Sequence, residues 1–162
     1  MDLIDHSIEF TTCTFCILGY CRSTVGGYDV WSNDPTYPCL WHNLQRNIPN
    51  TSINAMNYMA VVDCLDHILD MVEYSHEYTN LEARPHVYIQ CGCFMVCQQL
   101  NGQMQSNALK LWYIECEKRM HRLNNRAQLT IKYVPDLYLS LTTLPYHLNQ
   151  TLPTPKSAPD PN

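Results

Sequence analysis

The sequence predicts an α+β domain: a small mixed sheet packed on two main helices, Cys-rich, with one or two structural zinc sites. Three observations lead there. Two long stretches carry apolar residues at helical spacing, several short alternating runs between them read as strands, and the nine cysteines fall in close groups. A chain of 162 residues has the length of one compact domain. That domain is expected over residues 1–148, followed by a disordered Pro-rich tail over 149–162 that carries Pro153, Pro155, Pro159 and Pro161.

Composition narrows the function classes. Hydrophobic residues make up 46% and charged ones 15%, against roughly 25% charged in ordinary domains, so a disordered chain is excluded. No apolar run reaches the ~18 residues of a membrane span. The acidic start, Met1-Asp2-Leu3-Ile4-Asp5-His6, lacks the basic and apolar segments of a signal peptide. An intracellular, reducing compartment follows, in which disulfides are a poor default. The net charge of -5 argues against a nucleic-acid partner.

The elements follow in chain order. Ile8 to Tyr20 is strand-like, with a knuckle at Cys13-Thr14-Phe15-Cys16. Gly26-Gly27 and Asn33-Asp34-Pro35 read as turns, and Tyr37 to His42 as the entry to a short helix. Pro49-Asn50-Thr51-Ser52 supplies a helix start with an N-cap residue. From Ile53 to about Glu73, Met56, Met59, Ala60, Cys64, Ile68, Met71 and Val72 recur at helical spacing, with Asp63, Asp66, Asp70 and Glu73 mostly on the outer face. Tyr78 to Arg84 reads as a loop. His86 to Cys91 alternates as a strand, and Cys93 to Cys97 continues it or turns. Asn101-Gly102 is a turn. A second helix is expected from about Ser106 to Leu123, with Leu109, Trp112, Cys116, Met120 and Leu123 on one face. Its basic end, Lys118, Arg119, His121, Arg122 and Arg126, complements the helix dipole. Gln128 to Val134 reads as a strand and Leu137 to Leu144 as another.

The cysteine spacing points to metal. Cys13-x2-Cys16 and Cys39-x2-His42 give four N/S donors, the set that closes a tetrahedral zinc site, with Cys21 as a substitute. A second set joins Cys64 and His67, one helical turn apart, to Cys91, Cys93 and Cys97 beyond the next loop. The competing interpretation is packing, since a free thiol behaves as a small hydrophobe. Closed zinc sites imply stability rather than catalysis. Motifs for hydrolases, phosphate-binding loops and zinc proteases are absent from the sequence, and no residue is singled out as catalytic or cofactor-binding.

The stretch from roughly Tyr37 to Trp112 resembles the adenovirus early-region-four thirty-four-kilodalton protein family. The likeness lies in Pro38-Cys39, in Ile48-Pro49 opening a helix, in Cys64 within that helix, in Cys91-Gly92-Cys93 on a strand, and in Cys97 followed by an apolar-Trp helix from Leu109 to Trp112. The family's His-Cys-His-Cys reads Gln90-Cys91-Gly92-Cys93 here, without the histidines. The resemblance implies a zinc-binding viral substrate adaptor that recruits a host elongin–cullin ubiquitin ligase, working in the host nucleus or cytoplasm. It also implies a partner-binding helix face at Ala60, Cys64 and Ile68. The function expected is therefore a non-enzymatic, zinc-stabilised protein-interaction module. A small cysteine- or zinc-dependent enzyme and a nucleic-acid-associated zinc protein are the alternatives.

Overall fold

The computed structural model describes residues 12–32, 45–74, 84–103 and 109–137. Within them the chain forms a five-stranded mixed sheet and three helices. The α+β class, the mixed sheet and the two main helices agree with the expectation.

Strands β1 (Thr12–Arg22) and β2 (Val25–Ser32) make an antiparallel hairpin running in register from Arg22↔Val25 to Phe15↔Ser32. Ser23 and Thr24 form its turn, with Ser23 in the left-handed region at φ 61°. Strand β3 (Gln45–Ile48) adds antiparallel to β2. On the other side of β1, β4 (His86–Cys91) pairs in parallel, and β5 (Gln128–Tyr133) pairs in parallel with β4. The order is β3-β2-β1-β4-β5. Gly26-Gly27, expected as a turn, instead lies inside β2. Space explains Gly26: a Cβ there would sit 2.6 Å from the Tyr20 carbonyl oxygen and 2.8 Å from Met56 Cγ.

Helix α1 (Ile53–Tyr74) matches its expected span closely. The Ser52 hydroxyl accepts the Ala55 N–H at 3.2 Å, which satisfies one of the unpaired donors of the first turn. Met56, Ala60, Cys64, Leu65, Ile68, Leu69 and Val72 are buried against β1, β2 and the third helix. Each large apolar side chain among them contributes roughly 1.5–3 kcal/mol through its removal from water.

Helix α2 (Phe94–Leu100) stands where a strand continuation or a turn was expected. Gly92 ends the alternation of β4, and Val96, Cys97 and Leu100 then bury at helical steps. Asn101-Gly102 does turn, with Gly102 at φ 75°.

Helix α3 (Lys110–Leu123) packs on α1. Its basic end does more than complement a dipole. Arg119 Nε donates to Asp66 Oδ1 at 2.7 Å, and Arg122 donates to Glu73 Oε2 at 2.8 Å. Both pairs are partly exposed, so they orient α3 on α1 more than they stabilise it.

The expected short helix at Tyr37–His42, the strand beyond Leu137 and the Pro-rich tail lie outside the described residues. No described helix is long and apolar enough to cross a membrane.

The closest packing is between α1 and β1. A Cβ on Gly19 would lie 2.5 Å from the Asn57 backbone nitrogen and 2.6 Å from the Met56 carbonyl carbon. Backbone cannot move aside as a side chain can, so Gly19→Ala should lower the unfolding free energy by roughly 3 kcal/mol or more. Urea melts followed by circular dichroism would check this. Val25→Ala, at an exposed β2 position, should stay within about 0.5 kcal/mol in the same assay.

Candidate functional site

The sheet reverses its order of growth at β1, with β2 and β3 on one side and β4 and β5 on the other. In open α/β sheets, ligands bind beyond the carboxyl ends of the strands at such a point. Here the last residue of β4, Cys91, pairs with Ile17. β1 runs on past it from Leu18 to Arg22 without β4 beside it, which leaves a step at the carboxyl ends. The Gly92 N–H donates to the Ile17 carbonyl at 3.3 Å and turns the chain off the sheet. A Cβ on Gly92 would lie 2.7 Å from Leu18 Cδ1, the mobile end of a side chain, so the two positions face each other across the step.

α1 packs beside this step through Asn57, which is buried. Its Oδ1 accepts the Gly19 N–H at 2.8 Å, and its Nδ2 donates to the Ile53 carbonyl at 2.8 Å and to the Gly19 carbonyl at 3.4 Å. Nearby, Cys93 Sγ donates to Asn54 Oδ1 at 3.2 Å, and the Cys93 N–H points to Cys91 Sγ at 3.4 Å. On β2, Asp29 is the register partner of Leu18 and is buried. Beneath the crevice the Tyr58 hydroxyl donates to Gln99 Oε1, and the Tyr28 hydroxyl to Asp63. Asn57 was legible as a polar residue within an apolar stripe, but the sequence reading passed over it.

The zinc assignments do not hold. Cys13 and Cys16 lie on one strand at an odd spacing, so they point to opposite faces of the sheet. Cys13 joins the core under α1, and Cys16 Sγ donates to Gln90 Oε1 at 3.4 Å. Cys39 and His42 lie outside the described residues. Cys21 Sγ is turned to the carbonyls of Ser23 and Thr51. Cys64 is buried on the α1 core stripe, and His67 sets its ring against the edge of Phe15 at 6.0 Å between centroids. Cys91, Cys93 and Cys97 cluster around the start of α2 instead, where Cys91 and Cys93 bond to each other's neighbourhood. Among the described residues, no group of three or more His, Cys, Asp or Glu side chains is placed to hold a metal. The expected partner-binding residues Ala60, Cys64 and Ile68 are each 0% exposed and lie in the core.

Burial fixes the protonation of these groups. Desolvation pushes the Cys16 and Cys116 thiols up to about 12. It also raises Cys64, with Cys16, Cys13 and Asp63 adding to the effect. Cys91 and Cys93 are raised, again mainly by burial. Burial lowers His67, opposed in part by Asp70. Neutral thiols are poor metal ligands and weak nucleophiles.

No family model and no curated protein matches the chain. Solved structures do match. The N-terminal RNase H domain of a Mycobacterium tuberculosis protein superposes with a TM-score of 0.57 at 12% identity, over 76% of this chain and 87% of that one. The fold is that of RNase H domains. LC11-RNase H1, isolated from compost and solved with an RNA/DNA hybrid, gives 0.57 at 15% identity, over 76% and 86%. The foamy viral protease-reverse transcriptase, also solved with a hybrid, gives 0.54 at 11% identity, over 83% of this chain and 19% of that one.

These neighbours correct the functional expectation on four points. The non-enzymatic zinc adaptor of a ubiquitin ligase finds no support, because the shared architecture is that of a nuclease fold. The preference for a non-enzymatic module over the enzyme alternative is contradicted by the same likeness, since the fold is one found in RNase H domains. Zinc as cofactor gives way, since the described residues offer no group for it. The expectation that nucleic acid is an unlikely partner loses its ground, since two proteins of this fold were solved with an RNA/DNA hybrid. Net charge was the ground for that expectation, and a modest acidic total says little about one surface.

Nucleases of the two-metal class clamp the scissile phosphate between ions, and magnesium is held through carboxylates and water. The described side chains at the crevice do not fit such ions. Leu18 has no donor, the Asn57 amide is already bonded to Gly19 and Ile53, and Cys91 and Cys93 are soft, protonated thiols. Asp29 is a single carboxylate.

Two outcomes follow. Chelator should leave the thermal midpoint unchanged, as read by circular dichroism with and without it. Stability should fall as pH rises above 9.0, the ordinary thiol value, towards about 12. The unfolded thiols ionise first, so the unfolded state binds fewer protons and ∂ΔG/∂pH is negative across that window. Urea midpoints at pH 7.5 and at pH 10 would show the drop, and Cys16→Ser should flatten part of it.

Proposed function

We propose that this chain is a nucleic-acid-processing domain of the RNase H fold that takes an RNA/DNA hybrid at the carboxyl ends of β1 and β4. One observation carries the proposal: the fold match spans some three quarters of this chain and most of the RNase H domains it matches. The step between β1 and β4 is where the architecture offers a ligand site, and two of the matched structures hold a hybrid.

The residues indicate how the grip would work. Arg119 and Arg122 are engaged by Asp66 and Glu73. Among the described residues, Arg22 at the carboxyl end of β1 and Lys132 at the end of β5 are exposed cations available to phosphate. Shape and polar backbone add to that grip, as double helices with A-like geometry allow.

Fluorescence anisotropy with a labelled RNA/DNA hybrid tests the proposal. Binding is expected, with a shallow salt dependence. Lys132→Ala should weaken it and reduce the slope of log K against log salt by about one phosphate contact. Failure to bind hybrid at low salt would end this reading. A cleavage assay in magnesium and in manganese on the same hybrid reports whether the chain by itself cuts.

A further inference from the structure

We propose that Phe94 and Tyr133 form a stacking platform for an unpaired nucleobase beside the crevice. The inference rests on the reading of the chain as a nucleic-acid-processing domain, and it assigns a second binding element to that domain.

The two rings meet because of the sheet. Cys91 and Tyr133 are register partners at the ends of β4 and β5, and Phe94 opens α2 three residues after Cys91. The ring centroids lie 5.4 Å apart at an interplanar angle of 82°. In that edge-to-face arrangement the ring that gives its edge does not spend a face on the pair.

Exposure singles out this place. Among the described residues the exposed large hydrophobics are Val25, Phe94, Met95, Leu111 and Tyr133, and three of these five sit together here, at 49%, 39% and 37% for Phe94, Met95 and Tyr133. A clustered apolar patch beside a ligand site marks contact with a partner. The platform is also braced. The Val134 N–H donates to the Cys91 carbonyl at 2.9 Å, and Asn101 Nδ2 donates to the Ile131 carbonyl at 3.1 Å, tying α2 to β5. A rigid aromatic face loses little entropy when a ligand docks.

The occupant follows from chemistry and position. Every base offers a π-face, and stacking on aromatic side chains is tolerant of sequence. Phe94 and Tyr133 lie at the same carboxyl edge as the crevice, so a strand leaving a hybrid there could lay its first unpaired base on them.

Anisotropy with three labelled probes tests this: a short single-stranded oligonucleotide, a blunt RNA/DNA hybrid, and the same hybrid with a single-stranded overhang. Wild type should bind the single strand, and it should bind the overhang hybrid more tightly than the blunt one. Phe94→Ala and Tyr133→Ala should each weaken single-strand binding about tenfold. Tyr133→Leu, which keeps bulk without a π-face, should weaken it likewise, while Phe94→Trp should restore it. Urea melts of each variant confirm folding. No single-strand binding by wild type would overturn the platform, whatever the hybrid does. So would folded alanine variants that bind within twofold of wild type. Single-strand binding lost in the variants, with the blunt hybrid unbound by wild type, would keep the platform and remove the crevice reading.

Discussion

The arrangement of this domain depends on the contact between Asn57 and Gly19. The absence of a side chain at Gly19 lets the α1 backbone lie directly on β1. The Asn57 amide then bonds both the N–H and the carbonyl of that residue. An unpaired backbone group buried at this point would cost about 1–3 kcal/mol, and the amide removes that cost where β1 extends past β4. The same contact fixes how closely α1 packs beside the step. From the other side, the Gly92 N–H bonds to the Ile17 carbonyl where the chain leaves β4.

Around that contact, the domain treats cysteine as a hydrophobe. Every cysteine among the described residues is buried, and desolvation keeps several of these thiols protonated well past neutral pH. Thiols spaced as they would be in a zinc knuckle are therefore separated by the sheet itself. The positive charge of α3 is also used internally, against the acidic residues of α1.

Local signals were legible wherever periodicity and element coincide. The helix from Ile53, its Ser52 cap, the strand at His86–Cys91 and the strand from Gln128 were all readable, because capping, helical spacing and alternation are written in consecutive residues. Helix α2 was not, because a seven-residue segment rich in Cys and Gln carries too little periodicity to separate it from a strand. Gly26-Gly27 misled in the opposite direction. Glycine selected for a close approach of Met56 looks the same in sequence as glycine selected for a turn.

The sequence by itself determined the α+β class, the extents of the main helix and of two parallel strands, and the absence of an apolar membrane-spanning run. Tertiary structure alone decided the strand order, the placement of Cys13 and Cys16 on opposite faces, the burial of Ala60, Cys64 and Ile68, and the meeting of Asn57 with Gly19 and of Phe94 with Tyr133. The physical reason is the range of the interactions. Spacing along the chain governs helix and strand, whereas a site is made by residues brought together through sheet register and helix packing, which local spacing does not encode.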